Sequence, residues 1–157
     1  MDRALLRRFH WIPVNPDVSV LEEWMEDVQD PNGLLPDRAS HFPTIEDFQE
    51  LYPRFMKNLN RSICERIGPD STLGQALFYP TNFIRQACNI TIDDVLNHLR
   101  YSLIPGLRVL SNADGRKLAN WLTQDSAKRI VENQVMADHE LFAMIHMVSQ
   151  PLGESSE

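Results

Sequence analysis

Cysteine and glycine are scarce in this chain, and long apolar runs are missing. Its 157 residues include two cysteines, Cys64 and Cys88, neither in a CxxC pair, so zinc-ribbon and thioredoxin-like readings fail. Six isolated glycines leave no GxGxxG, no Walker loop and no GxSxG elbow, and dinucleotide, nucleoside-triphosphate and hydrolase chemistry lose their usual handles. No apolar stretch approaches the roughly 18 residues of a membrane span. Basic excess is absent too: 15 Lys and Arg face 22 Asp and Glu, a net charge of −7. A dedicated nucleic-acid domain is normally basic. Low-complexity tracts are lacking, and 157 residues suit a single domain able to bury a core.

Metal-binding spacing is also missing. The five histidines, His10, His41, His98, His139 and His146, form no HExxH and no ExxH. Asp125, Glu132, His139 and His146 recur every seven residues. On one helix that spacing separates neighbours by about 10.5 Å, too far to share an ion, and it reads as a polar column facing solvent. No cofactor is implied. His98 stands one turn after Asp94 and could be oriented by it, and Cys64 or Cys88 near a histidine would be the other catalytic arrangement. Nothing local supports either arrangement, so catalysis remains the alternative rather than the reading. The start, Met1–Phe9, is Arg-rich but short and carries Asp2. The expectation is therefore an intracellular, cytoplasmic protein without a targeting segment, its cysteines held as thiols and its sequons at Asn60 and Asn89 without meaning.

What is present is helical periodicity between strong caps. Asp17 or Ser19 starts a run with Val20, Leu21, Trp24, Met25 and Val28 inside and Glu22, Glu23, Glu26 and Asp27 outside, ended by Asp30-Pro31-Asn32-Gly33. Residues 34–43 read as loop. Thr44-Ile45-Glu46-Asp47 resembles a capping box, and Phe48, Leu51, Phe55, Met56, Leu59 and Ile63 follow on one face, with a kink or helix junction expected at Pro53. Asp70-Ser71-Thr72 caps a short segment, and Pro80-Thr81 opens another carrying Phe83, Ile84 and Ala87. Thr91-Ile92-Asp93-Asp94 repeats the Thr-x-x-Asp start, and Pro105-Gly106 is expected to close that helix. Ser111–Gly115 makes a turn, and Asp125 is expected to cap one long final run through Val148. No period-two alternation occurs. The fold class is all-α, a single domain over residues 1–149 with six to eight short amphipathic helices. A Pro-punctuated segment, 1–43, docks on a helical core, 44–149, and 150–157 is a polar tail or the start of a linker.

Helix-turn-helix geometry over Phe83–Arg100 is rejected. Arg85 and Asn89 stand where small residues are wanted, and Asp93 and Asp94 would face phosphates. The charge is nevertheless uneven: residues 1–50 sum to −7, 51–130 to +5 and 131–157 to −5. Arg54, Lys57 and Arg61 fall along one face of a helix. Near the start, Leu5, Leu6 and Phe9 oppose Arg3, Arg7 and Arg8 over one or two turns, too short to stay helical alone, and Trp11 follows in a Pro-broken segment. Together with Trp24 and Met25, these residues are the candidate partner-binding set: Leu5, Leu6, Phe9, Trp11, Trp24, Met25, Arg54, Lys57 and Arg61. The reading is a protein–protein interaction or assembly module, with self-association through the acidic 17–30 region of a second copy, and a larger chain could follow. A small helical enzyme, or nucleic-acid binding through the 51–130 face, are the alternatives.

Overall fold

Capping chemistry decides where the helices begin. The computed structural model of the chain describes residues 16–80 and 89–151. The Asp17 carboxylate opens α1 (Val18–Glu26), accepting from the Ser19 N–H at 3.0 Å and its hydroxyl at 2.7 Å. The stretch expected as loop holds one helical turn, α2 (Leu35–Arg38), because Pro36 sits in the first turn, where a missing N–H costs nothing. A full capping box opens α3 (Ile45–Arg66). The Asp47 N–H donates to Thr44 Oγ1 at 3.2 Å, and the Thr44 N–H donates back to Asp47 Oδ2 at 3.0 Å.

Pro53 does not split α3. The helix runs unbroken for 22 residues, although an interior proline costs about 3 kcal/mol. Burial offsets that cost, because Phe48, Phe55, Met56, Leu59 and Ile63 all lie at 0% exposure. Gly68, at φ +128°, then turns the chain out of the helix in a conformation that L side chains rarely adopt. Two single 3₁₀ turns follow, Pro69–Ser71 and Gln75–Leu77, where a short capped segment was expected. They are tied to α3 by Asn60, which donates to the Leu73 carbonyl at 2.8 Å and accepts the Leu73 N–H at 2.7 Å.

The second Thr-x-x-Asp start behaves like the first. Thr91 and Asp94 cap α4 (Ile92–His98) with reciprocal bonds of 2.9 and 3.3 Å. Pro105-Gly106 does not end this element, contrary to expectation. A π turn, Leu99–Leu103, leads directly into α5 (Ile104–Leu110). Pro105 has no N–H for the Tyr101 carbonyl and its ring crowds that group. The wider turn shifts the register, so that the Ile104 N–H reaches back to the Leu99 carbonyl and the chain stays helical.

Asp114 caps α6 (Gly115–Trp121) through the Arg116 and Lys117 N–H groups. The single long run expected from Asp125 is two helices, α7 (Gln124–Val131) and α8 (Asp138–Ser149), and Thr123, not Asp125, caps the first. Both α5 and α7 end in Schellman pairs. Ala113 and Asn112 donate to Arg108 and Val109, and Gln134 and Asn133 donate to Arg129 and Ile130. Each pair needs a left-handed residue after the helix, supplied by Asn112 at φ +55° and Asn133 at φ +54°. Asparagine is the usual second choice to glycine there.

The protein is all-α, with eight α-helices among the described residues around one apolar cluster. α3 lies centrally, against α1, α6 and α8, while α7 packs on α5 and α6. Edge-to-face contacts of Phe48 with Phe42 at 5.3 Å and Phe142 at 5.9 Å fill the space between α3 and α8. Main-chain bonds from Gln29 to Ile90 and Ile92, 2.9 and 3.0 Å, join the end of α1 to the start of α4. No helix among the described residues is long and apolar enough to cross a membrane.

Candidate interaction surfaces

The sequence-derived candidates divide three ways. Leu5, Leu6, Phe9 and Trp11 lie outside the described residues, as do Cys88 and the Phe83–Ala87 segment. Met25 corrects an expectation: it is fully buried in the core and presents nothing to a partner. Its place on the inner face of α1 follows from the same spacing that places Leu21 and Val28 there. Trp24 is half-buried, packed against Tyr79 with ring centroids 5.3 Å apart. Burial, with Asp27 and Asp94 adding repulsion, pushes the Tyr79 hydroxyl up to about 12.

Arg54, Lys57 and Arg61 are all exposed along α3. Arg54 is engaged locally by Glu50, one turn earlier, at 3.2 Å. Lys57 and Arg61 enter no ion pair among the described residues, and neither do Glu22, Glu23, Glu26 and Asp27 on the outer face of α1. The basic and acidic strips thus sit on neighbouring helices without neutralising each other.

The catalytic alternative finds its residues otherwise employed. The Asp94 carboxylate accepts the Thr91 N–H and hydroxyl, both at 2.9 Å. His98 places Nε2 2.8 Å from the Ala76 carbonyl. Cys64 is a half-buried free thiol on α3. No cluster of three or more His, Cys, Asp or Glu side chains that could hold a metal occurs among the described residues.

Sequence reasoning missed the surface around the α7–α8 corner. Two arginines hold it. Arg129 Nε donates to Glu140 Oε1 at 2.7 Å and its Nη1 to Gln134 Oε1 at 2.5 Å. Arg100, reaching from the π turn, donates to the Met136 carbonyl at 2.8 Å and to Asp138 at 2.6 Å. The Ala137 N–H, aided by the Arg129 charge, holds the Glu140 carboxyl below the usual carboxylate range. On one side of the corner, Tyr101, Val109 and Val135 line a cavity of about 310 Å³ beside Arg108. They are 69%, 77% and 69% exposed, three apolar side chains facing water around one cavity. On the other side, α7 and α8 enclose a groove of about 730 Å³. Met136 and Met144 form its floor and the 61%-exposed Met147 its lip.

Two sequence signals pointed here. Tyr101, Pro105 and Val109 recur at i, i+4 and i+8, the spacing of a helical ridge, provided the helix continues through Pro105. The Asn133 break was the other signal, since it sits where a C′ glycine usually stands. Comparison with known proteins finds no matching family model, no matching curated protein and no matching solved structure.

Proposed function

We propose that this chain is a protein–protein interaction or assembly module that acts through helix packing. The observation that supports this reading best is the trio of exposed apolar side chains, Tyr101, Val109 and Val135, on one side of the α7–α8 corner, with the exposed Met147 on its other side. Water-facing apolar side chains gain free energy when a partner covers them. The N-terminal Leu5, Leu6, Phe9 and Trp11 supply a second apolar element. Lys57 and Arg61 supply selectivity, engaging carboxylates such as those of Glu22, Glu23 and Glu26 on a second copy. Exposed charge of this kind steers association more than it adds affinity.

Light scattering after size exclusion tests the reading at low and high salt. The expected result is an oligomer that weakens as salt rises, because exposed ion pairs are screened over about 8–10 Å. Lys57→Glu combined with Arg61→Glu should weaken it at low salt and leave little further salt dependence. A monomer at every salt and concentration overturns self-assembly and returns attention to the catalytic reading.

A further inference from the structure

We infer that Asn32 is a modification site at which the chain alters its own backbone, forming a succinimide with Gly33 that water opens to aspartate and isoaspartate. Of the six glycines, Gly33 alone follows an asparagine and Gly115 alone follows an aspartate. In both pairs a side-chain carbonyl carbon stands beside a main-chain nitrogen that no Cβ shields, and intramolecular attack has a large entropic advantage. The fold treats the two pairs oppositely. Asn32 and Gly33 are both exposed in the turn that joins α1 to α2. Gly33 lies at φ +62°, and a Cβ built on it would meet nothing within 4 Å. Among the described residues its N–H meets only the Asp30 carbonyl, at 3.0 Å across the turn. Exposed turns held so lightly open at little cost. Asp114 is held instead, its Oδ1 accepting the Arg116 N–H at 2.8 Å and the Lys117 N–H at 3.3 Å to cap α6. Gly115 is the first residue of that helix, and a Cβ there would lie 3.5 Å from the Val131 side chain. The other described asparagines are also set aside. Asn58 and Asn60 are buried in α3 with their amides bonded to carbonyls. Asn97 and Asn120 lie within helices, and Asn89, Asn112 and Asn133 precede Ile90, Ala113 and Gln134, whose side chains crowd the nitrogen.

The reaction needs solvent water and no other reagent. When the turn opens, the Gly33 N–H gives its proton to hydroxide and the nitrogen bonds to Asn32 Cγ. The Cγ–Nδ2 bond breaks, and the side-chain nitrogen takes a proton from water and leaves as ammonia. Water then adds to either ring carbonyl. Opening at Cγ yields aspartate, whereas opening at the main-chain carbonyl yields isoaspartate, whose backbone runs through the former side chain. The net change is NH exchanged for O, without oxidation or reduction. A neutral amide becomes a carboxylate, added to residues 1–50, which already sum to −7. The turn also supports α2. The Asp30 carboxylate accepts the Leu35 N–H at 2.8 Å, and Leu35, 1% exposed, seats α2 in the core. Isoaspartate adds a methylene to the main chain between Asp30 and Leu35, so the turn bond and this cap lose their fit to each other.

Ageing the full chain in warm, mildly alkaline buffer tests the site. Peptide mass spectra should show NH exchanged for O at Asn32, with the aspartate and isoaspartate peptides eluting separately. The intact protein should shift to stronger retention on an anion exchanger. Asn32→Gln, whose attack would have to close a larger ring, should lose both signals while keeping the helical circular dichroism of the wild type. A retention shift of equal size in Asn32→Gln overturns the assignment. So does a folded chain that keeps Asn32 intact while the urea-unfolded chain converts it, since the turn then protects the residue. Isoaspartate should arise at position 32 alone in the folded chain, and at positions 32 and 114 in urea. Equal conversion at both positions in the folded chain overturns selection by the fold. In the isolated isoaspartate form the Gly33 and Leu35 amides should exchange hydrogen faster than in the unaged protein, and unchanged exchange overturns the loosening of α2.

Discussion

The α3–α8 side of the molecule and the α5–α7 side are built to different standards. Between α3 and α8, Phe42, Phe48, Tyr52, Phe55 and Phe142 lie at 0–1% exposure, and the polar groups there are matched. The Tyr52 hydroxyl donates to the Phe78 carbonyl at 2.5 Å, and Asn58 donates to the Val148 and Gln150 carbonyls that end α8. The α5–α7 side holds the π turn, the left-handed Asn112, Ala113 and Asn133, the exposed Tyr101, Val109 and Val135, and the buried Trp121 Nε1 that finds no partner among the described residues. Each of these features costs free energy in an isolated chain. One side is finished as a core, and the other keeps strain and apolar exposure.

Substitution should expose that difference most sharply in stability. Phe48→Ala opens a cavity among Phe42, Tyr52 and Phe142 and should cost about 3–5 kcal/mol. Tyr101→Ser on the opposite side should fall within about 0.5 kcal/mol. Urea unfolding of the two variants makes the measurement, and equal losses would erase the distinction between the sides. A smaller effect of opposite sign is expected at Ala113, held at φ +56°. A left-handed conformation costs an L residue about 1–2 kcal/mol, and glycine's extra chain entropy returns part of that. Ala113→Gly should therefore stabilise by up to about 1 kcal/mol, seen as a rise in Tm, whereas a loss would show that the turn is not strained.

The smallest effect belongs to the junction of the α2–α3 loop with α8. There His41 stacks on His146 with ring centroids 4.5 Å apart, and the Gln150 amide lies 3.1 Å from His146 Nε2. Burial, then the neighbouring His41, hold His146 below the ordinary imidazole value of 6.5. The unfolded chain consequently takes up that proton more readily than the folded one. This contribution to stability is intact above pH 6.5 and is lost as the pH falls through the lowered folded value. Thermal melts between pH 7 and pH 5 should show the decline, and His146→Gln should reduce its slope; an unchanged slope would remove the pair as its source.

The finished side is also the legible one. Thr44–Asp47 and Thr91–Asp94 were readable as caps because a capping box is local, needing only side chains three residues apart. The α3 face was readable for the same reason, since Phe48, Phe55, Met56 and Ile63 keep one period over many turns. Illegibility began where a local rule met a tertiary demand. Pro53 read as a kink or helix junction and Pro105 as a stop, yet packing carries one unbroken helix through the first and a π turn carries the chain past the second. Asn133 was harder to read as a break, because asparagine is a weaker stop signal than glycine and Val135, Leu141 and Phe142 continue the apolar pattern beyond it. Met25 was placed inside by its spacing with Leu21 and Val28 and also made a partner-binding candidate by its residue type; burial keeps only the first.

Periodicity and capping in the sequence alone determined that this protein is all-α, where most of its helices start and which faces they bury, because those choices are settled within a few residues along the chain. Only the tertiary structure decided that the final run folds back on itself at Asn133, and that Tyr101, Val109 and Val135 meet on one side of that corner and the methionines on the other. These outcomes depend on residues as far apart in sequence as Tyr101 and Val135 sharing one surface, and no local pattern records that.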